Sequence, residues 1–415
     1  MAAAPKVTGL REQPLHGPLP RTARPAAALA TEPTRLRPAS LQLLVIQASP
    51  FCNLDCTYCY LPDRANTRRM PLDLLDRVMA QVMASGLPGP ELSLVWHAGE
   101  PMAVARDWYQ AAFETVARHA GERRVQHHFQ TNAVLIDAAW CAFFAQHGVR
   151  VGVSVDGPAA LHDAHRRTRD GRGTHARVMR GIAQLRQAGL GFHCIAVLSR
   201  DALDQADALY DFFASLGADQ VGFNVEEAEA AHTRSSLAAA GSEAALRAFW
   251  ARLLQRLRAE PGRLRVREVE AVLAALRHPA FGQVHGNAQN LPGQMLNVDC
   301  DGRWCFWSPE LLGGRHPQLG TAAMGELASA HAGFAATAAA GAPAWAGWQR
   351  EIDAGVQRCR SECAYFDFCL GGSPSNKLAE HGHFSGSQTL ACRLGQQVLI
   401  DAVLASLDQQ LPPLR

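Results

Sequence analysis

From residue 41 onward the chain switches between two hydrophobic patterns. Short apolar runs of strand length alternate with longer stretches in which apolar residues recur at helical spacing. Residues 41–47 read as the first strand, and residues 70–85 as a helix stopped by Gly86. Strands follow at 91–97, 125–131, 150–156, 192–199 and 220–225. Helices are predicted between them at 105–119, 136–146, 175–188 and 203–216. Six strand–helix repeats imply a parallel sheet with helical crossovers, an α/β fold.

Polar motifs fall where these strands end. A cysteine-rich loop follows strand one, Gly99-Glu100-Pro101 strand two, and Asn132 strand three. Ser154-Val155-Asp156-Gly157-Pro158 ends strand four, and Asn224-Val225-Glu226-Glu227 ends strand six. In barrels of parallel strands the carboxyl ends carry the active groups. Lone motifs have plainer readings. Gly-Glu-Pro is a common turn, Asp156 could cap one, and Glu226 and Glu227 could be solvated or cap a helix.

Composition narrows the function class. The chain has 415 residues, 48% hydrophobic and 19% charged, with a formal charge of +2. That is ordinary for a globular protein and offers no basic stripe for nucleic acid. Residues 1–40 hold seven prolines, six basic and two acidic residues, and read as a disordered arm. No signal-peptide core and no apolar run of membrane-spanning length are apparent, so the expectation is a cytoplasmic protein without a membrane partner.

Eleven cysteines in such a chain read as metal ligands rather than disulfides. Cys52, Cys56 and Cys59 are spaced C-x3-C-x2-C. Three such thiolates can each bind one iron of a [4Fe–4S] cube and leave the fourth iron open. A zinc knuckle with a distant fourth ligand, or buried free thiols, are the alternatives. Cys359, Cys363, Cys369 and Cys392 form a second group, and Cys300 and Cys305 lie upstream of it. The four could hold a cluster or a structural zinc. Cys141 and Cys194 sit in apolar periodic segments and read as packing residues.

The loop resembles the signature of radical S-adenosylmethionine (SAM) enzymes. That resemblance implies a partial (β/α)6 barrel over 41–230, a [4Fe–4S] cluster with one open iron, and SAM bound to it. Trp96-His97-Ala98-Gly99-Glu100-Pro101 is similar to the family's Gly-Gly-Glu-Pro segment, with Ala98 in place of the first glycine. Gly99 and Glu100 are then expected near the SAM ammonium, and Asn132 and Ser154 near its ribose and carboxylate. Arg166 is expected to pair with that carboxylate, and Tyr58 to pack near the adenine. The C-terminal group resembles the SPASM extension, which implies an auxiliary [4Fe–4S] cluster on Cys359, Cys363, Cys369 and Cys392. Ser373 stands where the family has a further cysteine, and a second auxiliary cluster would fall partly to Cys300 and Cys305. The resulting division is a connector over 231–294 and an auxiliary module over 295–415.

Finer motifs resemble the Grr/Osc-type cyclophane-forming peptide maturases. These are the Cys59-Tyr60-Leu61-Pro62-Asp63-Arg64 exit, Gly222-Phe223-Asn224-Val225-Glu226-Glu227, Ser308-Pro309-Glu310-Leu311-Leu312-Gly313 and Ser373-Pro374-Ser375-Asn376-Lys377. The resemblance implies a ribosomally made precursor peptide as substrate and an electron donor such as flavodoxin or ferredoxin. It also implies a C–C bond between an aromatic ring and a Cβ. Glu226, Glu227 and Asp299 are candidates for the base that removes the ring proton. Formylglycine-forming and thioether-forming maturases share the layout. A zinc-stabilised peptide-binding protein is the alternative without catalysis.

Overall fold

The computed structural model describes residues 40–284, 286–327 and 343–409. The predicted arm lies outside these residues except for Ser40.

The first half follows the predicted alternation. Strands β1 (Leu41–Ile46), β2 (Pro88–Trp96), β3 (Arg124–Thr131), β4 (Arg150–Ser154), β5 (Phe192–Leu198) and β6 (Gln220–Val225) pair in parallel, each with the next. Helices α1 (Leu72–Ala84), α2 (Arg106–Ala120), α3 (Ala138–His147), α4 (Ala159–His165), α5 (His175–Gln187) and α6 (Ala206–Leu216) lie between them. α1 buries Leu74, Leu75, Val78, Met79, Val82 and Met83, a stripe at helical spacing. α3 starts at Asp137, whose carboxylate accepts from Trp140 N, and ends at left-handed Gly148. α4 escaped the sequence reading because its seven residues bury only His162 and show no apolar stripe.

Past β6 the chain forms α7 (Ser242–Ala259) and α8 (Arg267–Arg277). It then returns to the same sheet. β7 (Met295–Val298) runs parallel to β1 on its free side, pairing Leu43 with Met295. β8 (Arg303–Phe306) and β11 (Gly325–Glu326) add antiparallel strands, giving a nine-stranded, mostly parallel sheet. These strands of two to four residues are too short to carry a readable alternation. β9 (Arg315–His316) and β10 (Gly320–Thr321) form a separate small hairpin.

The helical run Leu390–Asp408 is 19 residues long, with a mean hydropathy of 1.3, apolar enough on length and composition to cross a membrane. This corrects the expectation that the chain has no such run. Its second part, Val398–Asp408, packs on α7 and α8 and buries Val398, Leu399, Ile400 and Val403. Arg247 of α7 also meets Asp401 at 2.8 Å.

Candidate active site

The cysteine loop after β1 is fastened mainly by the chain that follows α4. Asp55 N donates to Arg167 O at 2.7 Å and Thr57 N to His165 O at 3.1 Å. Arg169 reaches Cys52 O at 2.8 Å. Arg64 reaches Cys56 O at 3.1 Å and Asp55 at 2.9 Å. Cys52, Cys56 and Cys59 are free thiols. Burial pushes Cys52 up to about 12, with the nearby Glu100 adding to it. Cys56 is pushed up to about 11 by burial, opposed by Arg166. Three thiols on a fixed loop fit a cluster in ligand type and number, and metal binding would deprotonate them. Among the described residues, no three His, Cys, Asp or Glu side chains are grouped to hold a single ion.

After β2 the turn is tight. A Cβ on Gly99, at φ +110°, would lie 2.4 Å from Ser49 O, so only glycine fits. Ala98 itself takes φ +65°, a left-handed conformation that glycine would adopt more cheaply. Glu100 is buried, and its carboxylate accepts from Met102 N (3.0 Å), Thr131 Oγ1 (2.6 Å) and Asn132 N (2.8 Å). Burial raises it to about 7 despite those bonds. Asn132 donates to Asn53 Oδ1 at 2.7 Å and lies 3.8 Å from Cys52 Sγ, tying β3 to the cysteine loop. Ser154 Oγ accepts from Gln130 at 2.9 Å.

Arg166, expected to pair with the carboxylate of SAM, has a partner within the protein. Its Nε donates to Asp156 Oδ2 at 2.9 Å, and both side chains are almost wholly buried. Tyr58 also donates to Asp156 Oδ2, while Val197 N donates to Oδ1 at 3.0 Å. The Arg166 guanidinium lies over the Tyr58 ring, 5.4 Å from its centroid. Asp156 is thus the hub of a buried network that joins β4, β5 and the cysteine loop.

Cys359, Cys363, Cys369 and Cys392 line one cavity of about 920 Å³, together with Asn224, Glu227, Glu229 and Glu310. Gln397 Nε2 is 3.9 Å from the sulfurs of both Cys363 and Cys392. Burial pushes Cys369 up to about 11 and Cys392 up to about 12. Four thiols around one cavity fit a fully ligated cube. Ser373 also lines this cavity, with its hydroxyl 2.7 Å from Ser375 Oγ.

The structure separates the three base candidates. Glu226 is engaged by His232 at 2.9 Å and by Ser236 N at 3.1 Å. Asp299 caps its own hairpin turn, accepting from Asp301 N, Arg303 N and Arg303 Nε. Glu227 faces the cavity, accepts from Asn376 at 3.0 Å, and is raised to about 7 by burial and by nearby Glu310. Glu229 and Glu310 were not among the base candidates, since their place beside the cysteines depends on packing and not on spacing in the sequence. Both line the same cavity, and burial raises both.

Cys300 and Cys305 are not among the residues lining that cavity. Cys300 lies beside Arg68 and Arg303 in a small pocket after β7. Cys305 is fully buried in β8, with Sγ 3.7 Å from Ser308 O. Asn297 lines the same pocket as Cys300 and lies 3.9 Å from Cys305 Sγ.

Comparison with known proteins identifies the class. The pattern of the radical SAM superfamily matches residues 46–213. An uncharacterized protein of Synechocystis sp. is 39% identical over 89% of this chain and 92% of its own. The chain belongs to the radical SAM superfamily and is a radical SAM enzyme, a class built on a [4Fe–4S] cluster and SAM. A serine-type anaerobic sulfatase-maturating enzyme of Klebsiella aerogenes is 34% identical, but over 50% of this chain and 51% of its own. The chain thus aligns with about half the length of that relative. Among solved structures, anSMEcpe with bound AdoMet superposes at TM-score 0.71 with 18% identity, covering 89% of this chain and 99% of that one. SuiB of Streptococcus suis bound to precursor peptide SuiA gives 0.60 with 16% identity, covering 86% and 76%.

Proposed function

We propose that this enzyme is a peptide maturase. It would join an aromatic side chain to the Cβ of a nearby residue within a ribosomally made precursor. In this reading residues 41–230 act as the partial barrel, 231–294 as a connector and 295–415 as a SPASM-like module. Cys52, Cys56 and Cys59 hold the SAM-binding cluster, and Gly99, Glu100, Asn132 and Ser154 border SAM. Cys359, Cys363, Cys369 and Cys392 hold an auxiliary cluster. When bound, the N-terminal cluster and SAM supply a one-electron cleavage that generates a hydrogen-abstracting radical.

The observation that carries the reading is the shared cavity, in which carboxylates at the end of β6 face the four C-terminal cysteines. Closing a C–C bond onto a ring requires the ring to lose one electron and one proton. Glu227 is suited to accept the proton, since its raised carboxyl changes charge near neutral pH. Burial and the neighbouring acids raise it, and the hydrogen bond from Asn376 partly opposes them. Tyr58, Asp156 and Arg166 keep the cysteine loop in register with β4. A flavodoxin or ferredoxin would deliver the initiating electron.

The second reading, oxidation of Cys or Ser to formylglycine, is supported by the sulfatase-maturating relatives. Their similarity covers about half of this chain. Ser373 also departs from the fuller cysteine set. Mass spectrometry separates the two readings. The anaerobic enzyme is given SAM, reductant and a precursor peptide encoded beside it. Loss of two hydrogens, with fragments bridged from ring to Cβ, supports the crosslink. Serine oxidation also removes two hydrogens but leaves an aldehyde that reacts with a hydrazide probe, and that outcome would replace the crosslink reading.

A further inference from the structure

The chain has only two lysines, Lys6 and Lys377, among 40 basic residues. Lys377 is buried at 4% exposure, and its Nζ lies 3.4 Å from Cys359 Sγ. Burying an ammonium is costly unless it is paired. The sulfur of Cys359 is the partner it meets here.

The surrounding chain is shaped for this placement. Lys377 sits on the helix Pro374–His381, and its two preceding residues also turn inward. Ser375 donates to Glu229 at 2.6 Å, and Asn376 donates to Glu227 at 3.0 Å and Glu229 at 2.8 Å. On the other side, Gly355 lies in the helix Pro343–Glu362. A Cβ there would come within 3.1 Å of Lys377 Nζ and 2.0 Å of Phe384 O. A side chain at position 355 would therefore crowd the ammonium, and glycine leaves it room. One stretch of three residues therefore grips the carboxylates with two side chains and a cysteine sulfur with the third.

We propose that Lys377 tunes the reduction potential of the cluster held by Cys359, Cys363, Cys369 and Cys392. This rests on the maturase reading above. Net charge and hydrogen bonds to sulfur set the potential of such clusters. A fixed positive charge on one ligand sulfur stabilises the reduced, more negative state and raises the potential. That poise suits a centre taking one electron from a ring radical while Glu227 takes the proton.

The test uses the full chain with Cys52→Ala, Cys56→Ala and Cys59→Ala, so that only the auxiliary centre reports. Its midpoint potential is read by EPR-monitored titration with Lys377, Lys377→Met, Lys377→Gln and Lys377→Arg. The expected result is a lower potential in the Met and Gln variants at full iron content, with Arg nearer the parent. An unchanged potential in a fully loaded Met or Gln variant overturns the proposal. So does failure of both neutral variants to load while Arg loads, because Lys377 would then serve cluster retention. If the Lys377 parent itself holds no second cluster, the assignment of the C-terminal cysteines fails instead.

Discussion

The two cysteine groups of this protein are built in opposite ways. The N-terminal three fit within eight residues, and the chain after α4 fastens their loop through backbone bonds and arginines. The C-terminal four are spread over 34 residues and line a cavity shared with Glu227, Glu229, Glu310 and a lysine. A local loop with spare coordination suits cofactor chemistry. A dispersed, fully ligated site beside acids suits the removal of electrons and protons.

The most severe way to break this contrast is to remove ligands. Alanine at Cys52, Cys56 and Cys59 is expected to abolish 5′-deoxyadenosine formation, read by liquid chromatography. Alanine at Cys363 and Cys392 is expected to leave that cleavage measurable and to remove the crosslinked product. Equal loss of cleavage in both sets would erase the division of labour.

Next in size is the buried network behind the N-terminal loop. Arg166→Met strands Asp156 and should cost about 3–5 kcal/mol in denaturant unfolding. The double variant with Asp156→Asn should recover part of that loss, because no uncompensated charge remains. A loss under 1 kcal/mol in the single variant would show that the pair does not hold the loop.

On the C-terminal side the expected effect is smaller and depends on pH. Folded Glu227 keeps its proton up to about pH 7, whereas its ordinary value is 4.5. The native state binds more protons between those values, so this group's contribution to stability falls as pH rises from about 4.5 to 7. Glu227→Gln should remove that slope, gaining on the order of 3 kcal/mol at pH 8 relative to pH 4. Product formation in the parent should rise through about pH 7 as the base becomes free, and the variant should lack that limb. A parallel pH dependence of parent and variant would exclude Glu227.

The smallest effect belongs to Ala98→Gly. Relief of roughly 1–2 kcal/mol of left-handed strain is offset by roughly 0.4–1 kcal/mol of extra chain entropy lost by glycine. A gain of about 0.5 kcal/mol is expected by thermal melts, with cleavage activity unchanged.

The same contrast explains what could be read in advance. β1 to β6 announce themselves because each carries its pattern of inward apolar residues within one short segment, and their ends agree within three residues. The Cys52–Cys59 loop is equally local. β7 is four residues long and gains its meaning from pairing with β1, some 250 residues earlier. The family resemblance offered Arg166 as a ligand of the SAM carboxylate, while its internal partner Asp156 becomes evident only once β4 and the chain after α4 are packed together. Lys377 and Glu229 likewise acquire roles through contacts more than 15 and 140 residues away in sequence.

The central claim is that two distinct cluster sites do different work. The most direct measurement is EPR of the anaerobically reduced, reconstituted protein with and without SAM, in the parent and in the Cys52→Ala, Cys56→Ala, Cys59→Ala variant. Two signals are predicted in the parent, one of which changes on adding SAM. The variant should keep the other signal, indifferent to SAM. A variant with no signal, or one whose remaining signal responds to SAM, would contradict the account.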